Sequence, residues 1–323
     1  MPCKLMLSVV GLLLAAGSIS AAEKHAACTD PKKCGPDFMT QGEYTGTFGE
    51  NQKLGAQVIA LGDGKFDAVL YTGGLPGAGW DGKTKTSLTS STQDGVTQFS
   101  GQKFKGRISN GALMLTASDG TTTNLKRVER KSPTLGAKAP EGAVILFDGK
   151  NTDEWVNGKL EEGHLLGVGT RTKRKFKNYT LHLEFRTPFM PTARGQARAN
   201  SGMYLNDQYE FQILDSFGLK GENNECGGLY QIARPAVNMC LPPLSWQTYD
   251  VEFRKAQFDD AGKKIKPAVT TIRLNGVVIH DHFEIPHLTP GGGLNDEGQA
   301  GSLYLQNHGN PVRFRNIWIV EHE

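Results

Sequence analysis

The segment Tyr209-Glu210-Phe211-Gln212-Ile213 alternates apolar and polar side chains, and Asn200 to Leu205 just before it carries the same period of two. A strand puts successive side chains on opposite faces, whereas an amphipathic helix repeats at three and four. This pattern recurs along the chain, broken by turn residues and never by a convincing helix. Asn275-Gly276, Ser109-Asn110-Gly111 and Gly62-Asp63-Gly64 are hairpin signals, because tight hairpin turns need residues that tolerate positive φ. The chain is therefore expected to be all-β.

Its 323 residues suffice for two domains once a leader is set aside. Residues 1–22 read as a signal peptide: Lys4 opens it, Leu5 to Ala16 is apolar, and Ser20-Ala21-Ala22 offers small residues for cleavage. That apolar run is too short to span a bilayer. Residues 23–41 are expected to form a disulfide-tied linker, and 42–130 a small antiparallel β domain. Its strands are read at 43–48, 57–61, 65–71, 97–100, 104–109, 112–117 and 121–128. Residues 131–142, with Pro133 and Pro140, form a second linker. From 143 to 323 many short strands without a helix argue a jelly-roll β-sandwich with one substantial core. The patterning assigns the first β domain no function.

Cysteine usage fits export. Cys3 belongs to the leader, which leaves Cys28, Cys34, Cys226 and Cys240. Of three possible pairings the local ones are expected, Cys28–Cys34 and Cys226–Cys240, the latter closing a loop of about fifteen residues worth about 3 kcal/mol. The Cys and His spacing is too loose for a zinc site. The expected location is secreted or periplasmic, with no integral membrane segment after the leader. Net charge is only +3, and Arg171 to Lys177 is the one dense basic run. With no reading element beside it, nucleic acid is not an expected partner.

The polar strand positions suggest chemistry. His182, Glu184 and Arg186 share a face opposite Leu181, Leu183 and Phe185. Tyr204 opposes Met203 and Leu205; Gln306 and His308 follow Tyr304; Arg313 and Arg315 flank Phe314. Such a set suits a polyhydroxylated ligand, although antiparallel strands commonly wet one face without consequence. A direct glycosidase needs two carboxyl groups across the scissile bond. Here Gln212 stands where the next acid on the Glu210 strand would be, Asp215 is out of phase, and nothing fixes Glu225. No Gly-x-Ser-x-Gly elbow supports a serine hydrolase.

The residues from 143 onward resemble the 3-keto-disaccharide hydrolase domain family. The segments that carry the resemblance are Leu146-Phe147-Asp148-Gly149-Lys150-Asn151, Leu183 to Arg186, Asn200 to Leu205, Tyr209 to Asp215, Leu305 to Gly309 and Val312 to Ile319. It does not extend to the first β domain. The resemblance implies a concanavalin-like jelly roll and a substrate whose C3 ketone acidifies the C2 hydrogen. A base removes that proton and the C1 substituent leaves by β-elimination; water adding back gives net hydrolysis. This route needs a base and enolate stabilisation rather than a carboxylate pair. His308 or Glu210 is the expected base, with Arg313 or Arg315 steadying the enolate. Asn200, Tyr204, Gln212, Gln306, Glu184 and Arg186 are candidate sugar ligands. A divalent metal ion held by Glu210, Glu184 and His308 is the alternative stabiliser, and no other cofactor is expected. The expected partners are a carbohydrate or glycoside and an upstream oxidoreductase, since no Gly-x-Gly-x-x-Gly unit allows this chain to oxidise the sugar itself. The rival reading is a non-catalytic carbohydrate-binding module, with Tyr204, Tyr209, Tyr230, Trp246 and Trp318 as aromatic platforms; a structural surface protein is a third.

Overall fold

The computed structural model describes residues 25–93 and 96–323, so the expected signal peptide lies outside the described residues. The first β domain is a closed, up-and-down barrel of eight strands. These are β1 (Gly42–Phe48), β2 (Gln52–Gly62), β3 (Lys65–Thr72), β4 (Lys85–Gln93), β5 (Val96–Ser100), β6 (Phe104–Ser109), β7 (Ala112–Ala117) and β8 (Thr122–Val128). Closure of β8 onto β1 leaves no free edge. The hairpin signals act as expected: Asp63 and Gly64 take φ of 54° and 69°, and Asn110 and Gly111 take 50° and 71°.

Two features differ from the sequence reading. Strand β4 was not expected, because Lys85-Thr-Ser-Leu-Thr-Ser-Ser-Thr has almost no apolar alternation, and Leu88 alone is buried from it. Residues 25–41 also carry elements not read from the sequence: Pro31–Lys33 forms a 3₁₀ turn and Gly35–Thr40 a short helix, tied by the expected Cys28–Cys34 disulfide.

Inside the barrel, Leu54, Ala56, Val58 and Ala60 of β2 meet Phe66, Ala68 and Leu70 of β3. Small and large side chains together fill the narrow bore. The outward residues of the same strands, Ile59, Val69 and Tyr71, are buried too, because they join the core of the second domain. This explains the almost continuous burial of β2, which ordinary one-face alternation would not give.

That second domain is a jelly-roll sandwich. One sheet has five strands, in the order Trp155–Val156, Thr170–Thr172, Tyr304–Leu305, Ser201–Leu205, Tyr209–Ile213. The other has eight and is centred on Asn178–Arg186, which lies between Arg313–His322 and Gln247–Arg254. Leu181, Leu183 and Phe185 from the large sheet and Met203, Leu205, Phe211 and Ile213 from the small one meet in a single core. Sheets in such sandwiches stack about 10 Å apart, so residues on the two outer faces are remote from one another.

Residues 131–142 pack along the outer face of the eight-stranded sheet. Ser132 Oγ lies 2.6 Å from Thr248 Oγ1, Thr134 Oγ1 donates to Asp250, and Gly136 N donates to Glu184. Cys226 and Cys240 are both buried but carry free thiols, which corrects the expected second disulfide. The two thiols interact, and each is also held within the core: Cys226 lies beside the Tyr249 hydroxyl and Cys240 faces the Leu214 carbonyl. Among the described residues, no helix is long and apolar enough to cross a membrane.

Candidate functional site

The outer face of the five-stranded sheet was expected to be wet, yet every residue of Ser201–Leu205 and Tyr209–Ile213 is buried. Two segments close on it, 227–230 along its edge and 289–291 over Tyr204. Gly227 and Gly228 pair their backbones with Gln212, Tyr230 N donates to the Glu210 carbonyl, and the Tyr204 hydroxyl faces the Pro290 carbonyl at 3.0 Å. The opening left between these loops is a cavity of about 140 Å³, lined by Gln196, Asn200, Tyr204, Glu210, Gln212, Tyr230, Pro290, Gly291, Gln306 and His308.

Glu210 sits at its floor, only 3% exposed. The Tyr204 hydroxyl donates to Glu210 Oε2 at 2.8 Å, and Gln306 Nε2 donates in turn to the tyrosine oxygen at 3.1 Å. Glu210 Oε1 takes no protein hydrogen bond among the described residues. Burial pushes the Glu210 carboxyl up to about 7, against the opposing pull of the Tyr204 hydrogen bond. The same pair raises the tyrosine well above its ordinary value, through burial and the neighbouring carboxylate. Thr289 Oγ1 accepts from the Glu210 backbone N–H, so the strand cannot shift beneath its side chain.

Two glycines shape this floor. A Cβ at Gly202 would stand 2.3 Å from Glu210 Oε1, and one at Gly291, where φ is +86°, would stand 2.5 Å from the Tyr204 oxygen. The carboxylate can swing where a backbone cannot. Gly202→Ala is therefore expected to leave the melting temperature within a few degrees while lowering turnover at least tenfold; unchanged turnover would mean that the carboxylate position does not matter.

Amides line the walls. Gln212 Nε2 and Asn200 Nδ2 both donate to Gln196 Oε1, at 2.9 and 3.0 Å. The buried acceptors Asn200 Oδ1 and Gln306 Oε1 are left unpartnered. Buried polar atoms are nearly always paired, and exceptions concentrate where a ligand completes them. The Tyr230 hydroxyl and the exposed His308 ring are uncommitted among the described residues, so they remain available as donors.

Six expected residues thus converge: Asn200, Tyr204, Glu210, Gln212, Gln306 and His308. Four do not. Glu184, Arg186, Arg313 and Arg315 belong to the eight-stranded sheet and point from its outer face, across the sandwich. There Arg315 Nε donates to Glu184 at 2.7 Å, while Arg186 and Arg313 bind Glu162. Arg313 and Arg315 cannot reach an enolate in the Glu210 pocket, and Glu184 cannot share a metal with Glu210 and His308. Among the described residues no group of three His, Cys, Asp or Glu is placed to hold a metal ion. Trp246 is covered by Arg315 and Arg186, Trp318 stacks on His182, and Tyr209 packs in the core. Of the aromatic platforms only Tyr204 and Tyr230 reach the pocket. Strand phase found the right positions but could not say which sheet each strand joined. Gln196 was missed because it sits in a 3₁₀ turn (Gly195–Ala197) with no periodicity to betray it.

A larger cleft of about 520 Å³ lies where the barrel, the 131–142 segment and the Trp246 loop meet. Of its two acids, Glu43 is held by Arg130 at 2.5 Å and by Gln57 at 3.0 Å, and Glu129 is exposed beside Arg127 at 3.5 Å.

The site is thus one buried carboxyl in an amide-lined pocket on the outer face of a jelly roll. Residues 142–320 match the 3-keto-alpha-glucoside-1,2-lyase-like domain, and the chain belongs to that family. It is 32% identical to a protein of Parabacteroides distasonis described as a candidate glycosyl hydrolase, whose crystal structure covers 57% of this chain and 85% of its own at a TM-score of 0.52. A second such protein from the same organism is 19% identical over 57% of this chain and 95% of its own, with a TM-score of 0.41. No functionally curated protein matches the chain.

Proposed function

We propose that this protein cleaves 3-keto-glycosides by removing the C2 proton and eliminating the C1 substituent. The observation that carries the reading is Glu210, a carboxyl held near neutrality at the floor of a pocket otherwise lined by uncharged hydrogen-bonding groups and His308. An efficient general base has a pKa near the working pH, and desolvation supplies that here.

In this reading Glu210 Oε1 takes the C2 proton while Tyr204 fixes Oε2. The C2–H electrons form the C1–C2 double bond as the C1–O bond breaks, and the ketone oxygen carries the developing charge. His308 and Tyr230, the uncommitted donors, supply hydrogen bonds to that oxygen and a proton to the leaving group. The amides of Asn200, Gln212 and Gln306 orient the ring. The product is a sugar enone, or its hydrate after water adds. An unoxidised glycoside has no acidic C2 hydrogen and would pass through untouched. The expected setting is outside the cytoplasm, downstream of an enzyme that oxidises C3.

The test is paired turnover of a 3-keto-glycoside and its unoxidised parent. Cleavage of the keto form alone supports elimination. Saturable binding without cleavage of either would make the pocket a carbohydrate-binding site instead.

The pH profile follows from the same group. The active form of the base is ionised, so kcat/KM is expected to rise about tenfold per pH unit below about 7 and to level off above it. Rates that do not change between pH 5 and 8 would remove Glu210 from this role.

A further inference from the structure

We infer that the barrel and the sandwich together form a leaving-group pocket beside Glu210, and that this pocket takes an aromatic aglycone. The inference rests on the lyase reading above. A cavity of about 690 Å³ lies between the two domains. The barrel side is the outer face of β3 and β4, where Asp67 and Val69 pair with Thr89 and Ser87. The sandwich side is formed by Phe217, Gly218 and Leu219, and Arg194 and Lys220 also line it.

This cavity and the Glu210 pocket share a wall. Gly195 lines the larger one and Gln196 the smaller, and consecutive Cα atoms are about 3.8 Å apart. Gln196 Nε2 donates to the Asn224 carbonyl at 2.7 Å, and Asn224 lies between Glu222 and Glu225, both of which line the larger cavity. Arg198 faces the larger space two residues before Asn200 faces the smaller. One short turn separates the two.

Size and chemistry assign the parts. At about 140 Å³ the Glu210 pocket falls below the roughly 300–1,000 Å³ of ordinary ligand sites and suits a single sugar ring. The neighbouring cavity lies within that range, and the inference places the C1 substituent there. Ile59, Leu61 and Val69 give it an apolar floor, its lining also carries Lys85, Arg194, Lys220, Glu222 and Glu225, and no tyrosine or tryptophan lines it. A second sugar would lose hydrogen bonds to water against such a floor, whereas an aryl group would gain by burial. Arg198 is neutralised by Asp215, with Nε to Oδ2 at 2.6 Å, although its Nη2 is buried without a partner.

The test compares methyl and benzyl 3-keto-glucosides, whose leaving alcohols are similar in acidity. The wild type is expected to favour the benzyl compound by about 10–100-fold in kcat/KM, mostly through KM. Ser87→Trp, at an exposed site on β4, and Leu61→Arg are expected to cut that preference at least fivefold while leaving methyl turnover within twofold. An equal preference in wild type and Ser87→Trp would overturn the aglycone pocket while leaving the lyase reading intact. If wild type cleaves neither compound, the lyase reading fails, and calorimetry decides the pocket by itself. Benzyl binding that is tighter than methyl and weakened tenfold in Ser87→Trp supports it, and equal binding overturns it.

Discussion

Glu210→Gln is expected to lower kcat/KM on a 3-keto-glycoside by about 10²–10⁴-fold, the usual contribution of a positioned general base. The substitution keeps the volume and still offers an oxygen to the Tyr204 hydroxyl, so substrate binding is expected to change little. The same change is expected to stabilise the fold at alkaline pH. The Glu210 carboxyl is pushed up to about 7 by burial, above its unfolded range. Its contribution to stability is therefore fully present below the unfolded value and is lost as pH rises through about 7. Above that point the native state holds a buried charge that costs on the order of 3 kcal/mol, and glutamine removes it. A variant that is inactive, and more heat-stable at pH 8 than the wild type but equally stable at pH 4.5, would show a site that trades stability for reactivity. A variant with wild-type turnover would exclude Glu210 as the base.

The second large effect is expected on the opposite face. Glu184 is fully buried and accepts hydrogen bonds from Gly136 N, Asn316 Nδ2 and Arg315 Nε, with His182 Nε2 at 3.5 Å. Burial alone would raise its carboxyl, but His182 and these donors outweigh burial and hold it at about 2. Burial likewise works to lower His182, yet the hydrogen bond to Asp250 and the nearby Glu184 carboxylate hold it at about 9. The pair is thus charged across the physiological range. Removing one member of a buried pair leaves the other uncompensated, at about 3–5 kcal/mol. Glu184→Ala is expected to lower the melting temperature by about 10 °C, while turnover of the keto-glycoside at permissive temperature stays near wild type. The signs are opposite for the two groups. The His182 contribution is full below its unfolded value and is lost as pH rises through about 9. The Glu184 contribution is present above its unfolded value and is lost as pH falls through about 2. A Glu184→Ala protein with native stability and lost turnover would return this residue to the substrate site.

These two carboxylates show what the sequence could and could not say. Glu184 and Glu210 read alike, each an acid between apolar neighbours on a strand. Strand phase put both side chains on outer faces correctly, since Leu183, Phe185, Phe211 and Ile213 do face the core. What separates them is sheet membership. Glu184 lies in the eight-stranded sheet under the 131–142 segment, and Glu210 lies in the five-stranded sheet under the loops that leave a pocket. Pairing between strands distant in sequence carries no local signal, so Arg313 and Arg315 could be placed on a strand but not on a side of the molecule. The hairpins at Asn110-Gly111 and Asn275-Gly276 were legible because positive φ is a local demand. Strand β4 was not, because its burial comes from closing the barrel rather than from its own pattern. Gln196 lies in a turn whose position is set by contacts with Asn224 and Arg198. Cys226 and Cys240 lie together yet are not bonded, which an even cysteine count cannot reveal.

The central claim is proton abstraction at C2 followed by elimination. It is tested most directly with a 3-keto-glycoside carrying deuterium at C2, followed by mass spectrometry of the products against an enzyme-free control. The expected result is enzyme-dependent cleavage with complete loss of the C2 label to water and a slower rate than with the protio compound. Cleavage that keeps the label at C2 would contradict the account, because direct substitution at C1 leaves that hydrogen in place.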